Sequence, residues 1–312
     1  MNLNIKHTRG AGLFAQIKFL VQELYLNEDK IITVDFSDPY FPYKDSDDTC
    51  EFYKILTINN NVKLDDELKI FDKNFKDNRL FNNFIFYSQD LVSSEYKFEP
   101  IFQFRAQNNN LKKKYLQKLN SIFFKYININ NNILLFILIE VENYYNNFMS
   151  NNYILGIHYR AHTLHNDERY GTFELNFNEK INNVFFKIDN ILKDKKDYKI
   201  YLATDVKSVQ NKFINKYKNN LLFNKNNTSM SNEASGCNEP HFGFALQNKN
   251  NTDSEEFFDN FKKTKPGLNG GIQLMIDSLI LSKCNFFIPS NSCLSDLVLI
   301  FNPNIEYSYV TE

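Results

Sequence analysis

Apolar positions along this chain switch repeatedly between a strand rhythm and a helix rhythm. Residues 3–7 alternate as a strand does. The turn Arg9-Gly10-Ala11-Gly12 follows, and then Leu13, Phe14, Ile17, Leu20, Val21 and Leu24 recur at helical spacing. Residues 31–36 predict a second strand, which runs into Asp35-Phe36-Ser37-Asp38-Pro39-Tyr40. Together these make a β-α-β unit with a glycine-containing first turn. With only two glycines, Gly10 and Gly12, the turn lacks the dinucleotide fingerprint. The same glycines also read as the makings of a tight turn and nothing more.

From about residue 50 to 110 the pattern is irregular. Helical stretches follow at 111–127 and 133–148, and the break at Ser150-Asn151-Asn152 reads as a domain boundary. The second half is a cleaner alternation, with strands at 153–158, 199–203 and 285–288 and helices at 177–192, 206–217, 271–282 and 294–301. Strands alternating with helices predict a parallel sheet covered on both faces. Two such halves predict an α/β chain of GT-B-like form, two Rossmann-like domains facing a central cleft, at residues 1–150 and 151–312. Residues 224–266 show no period, and a stretch that long between elements is expected to border the cleft.

The strand at 153–158 stops abruptly at a polar cluster: His158, Arg160, His162, His165, Asp167, Glu168 and Arg169. In α/β proteins the crevice beyond the carboxyl ends of parallel strands is where ligands sit. The chain has 31 lysines but only five arginines, and two of those, Arg160 and Arg169, fall in this one segment. A guanidinium is a rigid fork of donors suited to phosphate, which a lysine does not imitate. The competing reading of Arg160 is an ion pair with a structural carboxylate. His158, likewise, reads either as a phosphate or ribose contact or as a satisfied core histidine.

Composition narrows the classes. A formal net charge of −1, with lysines spread along the chain, gives no nucleic-acid footprint. Asparagine is the commonest residue and tryptophan is absent, the imprint of an AT-rich genome, so the Asn runs read as surface loops. Four cysteines, Cys50, Cys237, Cys284 and Cys293, have neither metal spacing nor disulfide density. His158, His162 and His165 are close together, but they follow a strand rather than sharing a helix face, so no metal site is expected. No signal-like segment opens the chain, and its longest apolar run, residues 133–139, is far short of the roughly 18 needed to span a membrane. A cytoplasmic protein is the expectation, with peripheral membrane contact left open.

Three blocks of the second half, in order, resemble the fucosyltransferase superfamily of nodulation-type, α1,6- and protein O-fucosyltransferases. Gly156-Ile157-His158-Tyr159-Arg160 is similar to that family's His-x-Arg motif. Ile200-Tyr201-Leu202-Ala203-Thr204-Asp205 is similar to its strand ending in Ala-Thr-Asp. Residues 276–288 with Ser290-Asn291-Ser292 resemble its final donor-site block. Gly12-Leu13-Phe14-Ala15-Gln16 and the strand ending Val34-Asp35 match its first unit more loosely. Where the family often follows its arginine with Gly-Thr-Asp, this chain has Ala161-His162-Thr163.

The resemblance implies a two-domain GT-B transferase that needs no metal or other cofactor. It would hold GDP-fucose in the C-terminal domain and a glycan or other hydroxyl acceptor mainly in the N-terminal one. Arg160 would stabilise the departing phosphate, with His158 beside it. Ser290, Asn291 and Ser292, ahead of a helix, would offer hydroxyl, amide and helix N–H groups to an anion; the plainer reading is an N-cap. Asp205, at a strand end, would meet base or ribose, or merely cap a helix. Asp277, a carboxylate inside an apolar helix, needs a partner, which the resemblance makes the guanine edge or a loop amide. Gly12 would approach the cleft from the first domain. For the general base, Asp35 and Glu168 are both candidates. Two other readings stay open: a donor such as GDP-mannose or a heptose nucleotide, and a relative that binds nucleotide or glycan without catalysis.

Overall fold

The structure is a computed structural model and describes residues 2–6, 13–26, 31–35, 56–58, 62–64, 109–160, 173–204, 207–225, 267–290 and 292–310. Its contacts divide the chain into two compact units, Met1–Ile133 with Phe242–Leu268, and Leu134–His241 with Asn269–Glu312.

In the first unit, strand β1 (Asn2–Lys6), helix α1 (Leu13–Leu26) and strand β2 (Ile31–Asp35) form the expected β-α-β unit, with β1 and β2 parallel. All six apolar positions read as one helix face, from Leu13 to Leu24, are buried. Two short strands that the pattern does not announce follow: β3 (Leu56–Ile58) and β4 (Val62–Leu64), the latter parallel to β2. Helix α2 (Asn109–Tyr126) packs on α1, and β5 (Ile127–Ile129) pairs antiparallel with β3.

The second unit opens with α3 (Asn131–Tyr144), which runs into a π-helical turn at Tyr145–Met149. Then come β6 (Tyr153–Tyr159), α4 (Phe173–Leu192), β7 (Tyr198–Thr204), α5 (Lys207–Tyr217) and β8 (Leu221–Leu222). The chain returns through α6 (Gly267–Ser282), β9 (Phe286–Ile288), α7 (Cys293–Phe301) and β10 (Glu306–Tyr307). The sheet order is β10-β9-β6-β7-β8, and every pairing in it is parallel. This α/β architecture agrees with the alternation read from the sequence. The contact division falls at Ile133–Leu134, ahead of the Ser150-Asn151-Asn152 break, because α3 is tied to this sheet. Its Tyr144 hydroxyl donates to the Phe223 carbonyl at 2.9 Å, and its ring meets Tyr201 edge-on.

Each element forms for a legible reason. β6 is buried from Ile154 to Tyr159, as the middle strand of a parallel sheet with both faces covered must be. On α4, Ile181, Val184, Ile188 and Leu192 make one buried stripe; on α5, Val209, Phe213 and Tyr217 do the same. α7 is buried from Leu294 to Ile300 and apolar nearly all round, the mark of an internal helix. Asn285 fixes the register of β9 by accepting from Ile154 N at 2.7 Å and donating its own N–H to Ile154 O at 2.9 Å. Lys187 of α4 donates to Ser308 and to the Tyr309 carbonyl, anchoring the last segment. Among the described residues no helix is long and apolar enough to cross a membrane.

Gly156, in the middle of β6, allows α6 to end directly against the sheet. A Cβ there would lie 2.8 Å from Cys284 Sγ and 3.0 Å from Leu281 Cδ2. Overpacking of this kind costs about 1–3 kcal/mol. Gly156→Ala is therefore expected to lower Tm by several degrees. The double variant Gly156→Ala/Cys284→Ala should recover part of the loss, because removing the sulfur opens the nearest contact. Thermal unfolding of the three proteins checks this, and an unshifted Gly156→Ala would contradict the close approach.

Candidate functional site

The strand order places a topological switch point in the second unit. From β6 the chain proceeds outward to β7 and β8, then returns to lay β9 on the other side of β6. The crevice outside the carboxyl ends of two such strands is where open α/β sheets bind ligands. His158, Tyr159 and Arg160 end β6, and Pro289 and Ser290 follow β9, so the first and third sequence blocks meet across this crevice. The second block ends β7, the next strand along, at Ala203 and Thr204.

Side chains hold the two strand ends together. Ser290 Oγ donates to the His158 carbonyl at 2.6 Å and accepts from Arg160 N at 3.0 Å. Ser290 N donates to Ser295 Oγ at 3.1 Å, and that same hydroxyl is 2.8 Å from His158 Nδ1. Ser295 lies in the first turn of α7 and is fully buried. His158, Ser290 and Ser295 thus form one brace tying β6, the turn after β9 and the start of α7. Beyond it stands Arg160, half-buried, its backbone locked by Ser290.

The brace refines the roles expected from sequence. A hydroxyl has one proton to donate, and Ser290 gives it to His158 O, so its side chain organises the crevice rather than donating to an anion there. His158 is buried, and burial first, then the Arg160 guanidinium, lowers its pKa to about 3. A neutral ring engaged with Ser295 is the satisfied core histidine of the plainer reading. Ser292 is the N-cap of α7, accepting from Leu294 N at 3.2 Å. Asp277 is 1% exposed, and its Oδ1 accepts from the Tyr201 hydroxyl at 2.7 Å, so a tyrosine supplies the partner that the sequence analysis sought in guanine or a loop amide. The carboxylate pushes the Tyr201 pKa further up, after burial itself. Asp277 also lines a small polar cavity with Thr204, Gln210 and Asn224.

Other candidates fall elsewhere. Asp35 ends β2 in the first unit, paired in register with Lys6, and its side chain lies outside the described residues. Gly12, His162, His165, Asp167, Glu168, Arg169, Asp205 and Asn291 also lie outside them. Among the described residues no group of His, Cys, Asp or Glu is placed to hold a metal ion. Ser295 and Tyr201 escaped the sequence analysis. The available signal was a hydroxyl or phenol in an otherwise apolar buried run, which needs a partner.

The buried histidine predicts a pH dependence. Its folded pKa, about 3, lies below the ordinary value of 6.5, so between those values the unfolded chain binds a proton that the native one does not. Stability therefore falls as pH drops through 6.5, by about 1.4 kcal/mol per unit. His158→Asn keeps a polar atom near Nδ1 without a titratable ring. Between pH 7 and 5.5 the natural protein should lose roughly 1 kcal/mol more than this variant in urea unfolding. Parallel losses would mean that the ring is protonated in the native state.

No family model matches the chain, and no curated protein matches it in sequence. Solved structures do match. The structure of fucosyltransferase NodZ from Bradyrhizobium superimposes with a TM-score of 0.52 at 13% identity, covering 97% of this chain and 93% of that one. Its selenomethionine form gives 0.52 at 14% identity, covering 97% and 92%. The chain thus shares the fold of the fucosyltransferase NodZ.

Proposed function

We propose that this chain is an inverting, metal-independent glycosyltransferase of GT-B type, moving fucose from GDP-fucose to a hydroxyl of a glycan or other acceptor. One observation carries the reading. The three sequence blocks that resemble the fucosyltransferase superfamily end on neighbouring parallel strands, β9, β6 and β7, around the switch point. The fold shared with a fucosyltransferase supports it independently of those motifs.

The chemistry follows from the strand ends. Cleaving a sugar from a nucleoside diphosphate builds positive charge on the sugar and negative charge on the departing β-phosphate. A guanidinium fixed at the end of β6 stabilises that negative charge most in the transition state, which is the interaction that accelerates a reaction. The brace of Ser290, Ser295 and His158 holds the Arg160 backbone, which fixes the point from which that side chain extends. The first turn of α7 adds N–H groups and the positive end of a helix dipole. With His158 neutral, Arg160 is the cation that the described residues place at this strand end. A carboxylate such as Asp205 matches the donor edge of guanine, which uracil and adenine lack; Asp277, buried against Tyr201, is already engaged. The acceptor's proton goes to a carboxylate, for which Asp35 and Glu168 are the candidates.

Thermal unfolding with nucleotides tests the donor. At a hundred times Kd a ligand stabilises by about 2.7 kcal/mol, roughly 5 °C or more. GDP and GDP-fucose should reach that shift, with GDP-mannose as the rival sugar, and UDP- and ADP-sugars should fall well short. Equal shifts from UDP-sugars would sink the guanine assignment.

Arg160→Lys tests the clamp. It keeps the charge but loses the planar fork, and losing one preorganised donor to a developing anion costs roughly 3 kcal/mol. Its kcat/KM should fall about a hundredfold with Tm near native, while Arg169→Lys loses much less. The natural enzyme should turn over unchanged in EDTA. Near-native turnover of Arg160→Lys, or activity that chelator abolishes and a divalent cation restores, would defeat the proposal.

A further inference from the structure

We propose that a groove in the second unit, between the end of α3 and the edge strand β8, is a glycan-binding site separate from the switch point. It takes an all-equatorial saccharide of about disaccharide size. The cavity measures about 350 Å³, at the small end of ligand sites. It lies at β8, two strands out from β6, whereas the switch point lies between β6 and β9. The proposal does not rest on the identity of the donor.

A pyranose with equatorial substituents has apolar C–H faces and a rim of hydroxyls, and a site for it needs flat apolar walls with amides and carboxylates around them. The groove has both. Tyr144 and Phe148 stand with ring centroids 5.9 Å apart, tilted by 51°, and Phe223, on the chain leaving β8, lines the same groove. Glu140, Asn143 and Asn147 line the same groove from the helix side. The two amides can each donate and accept, and the carboxylate accepts, which matches hydroxyls that do both.

The aromatic wall is preorganised. Tyr144 donates to Phe223 O at 2.9 Å and rests edge-on against Tyr201 with centroids 5.7 Å apart. A ring held at its tip and its face loses little freedom on binding. A second, independent feature marks the same place. The turn Tyr145–Met149 is π-helical, closed by Ser150 N to Tyr145 O at 3.0 Å. Such turns are rare overall and frequent at functional sites. This one carries Asn147 and Phe148, and the extra residue in the turn changes the direction in which they are presented.

Other occupants fit less well. One carboxylate and one ammonium, Glu140 and Lys225, do not make a phosphate or lipid-headgroup site. An added peptide strand would find only the two residues Leu221–Leu222 to pair with. The amides would be left unsatisfied under a purely apolar ligand.

The test is saturation-transfer NMR and calorimetry of the full chain with cellotetraose, whose β-linkages keep the C–H faces flat, and with maltotetraose as the bent control. Cellotetraose should bind and maltotetraose should bind more weakly. Phe148→Ala should weaken cellotetraose tenfold or more and Asn143→Ala severalfold, while Phe148→Tyr retains it. Phe148 is 39% exposed, so these variants should keep their melting temperature, and the GDP-induced shift should not change. Three results would overturn the site: no cellotetraose binding, equal binding by Phe148→Ala, or a self-associated state that Phe148→Ala dissolves, which would give the groove to a second copy. GDP stabilisation without cellotetraose binding removes this site and leaves the donor reading intact; the reverse removes the donor reading and leaves the groove.

Discussion

Two serines and a histidine decide how the second unit presents its strand ends. Where β6 and β9 part, their backbones leave the ladder and would splay. Ser290 prevents this by bonding to both sides of Tyr159, the carbonyl of His158 and the N–H of Arg160. Ser295 carries the connection into the first turn of α7 and to the His158 ring. Each bond adds only about 1 kcal/mol net, yet each partner is at least part-buried, so leaving one unmade costs about 1–3 kcal/mol. The geometry is therefore enforced more by the cost of the alternatives than by the strength of any bond. Arg160 inherits a fixed starting point from it.

A second buried link runs from the sheet to its outer edge. Asp277 would be costly to bury in α6 without a donor, and Tyr201 of β7 supplies one. Tyr144 meets the same Tyr201 ring edge-on and reaches the chain leaving β8. The row α6–β7–α3–β8 is thus joined by one carboxylate and two phenols. Asp277 raises the pKa of both tyrosines, though for each of them burial is the larger cause. Both phenols stay protonated, and as donors they can serve the carboxylate and the carbonyl respectively.

What the sequence made legible follows from how local the determining physics is. β6, α1, α4 and α7 could be read because their own apolar spacing states their burial. β8 and β10, two residues each, exist only through pairing with β7 and β9, and no local pattern announces them. The π-helical turn was invisible because it differs from the α-helix by one residue of register, not by composition. At the candidate site, the crevice and the place of Arg160 at its edge could be seen from a strand that ends in titratable groups. The roles of His158, Ser290 and Asp277 could not, because each is settled by a partner far along the chain: 137 residues for His158 with Ser295, 132 for Ser290 with His158, 76 for Tyr201 with Asp277. Spacing shows which residue types are available, and only the fold shows which of them are already engaged.

The arginine itself illustrates the division of labour. In a chain with 31 lysines and five arginines, a cation needed only for charge would by composition be lysine. A lysine at position 160 would carry its ammonium on four rotatable carbons, and the rigid backbone beneath it would not fix the head group. A guanidinium on the same Cα rides on an equally flexible stem, but its donors stay in one plane, so less order is lost per hydrogen bond it makes to a phosphate. The proposed phosphate clamp asks for both features, a planar fork of donors and a fixed Cα to carry it, and the braced strand end supplies the second.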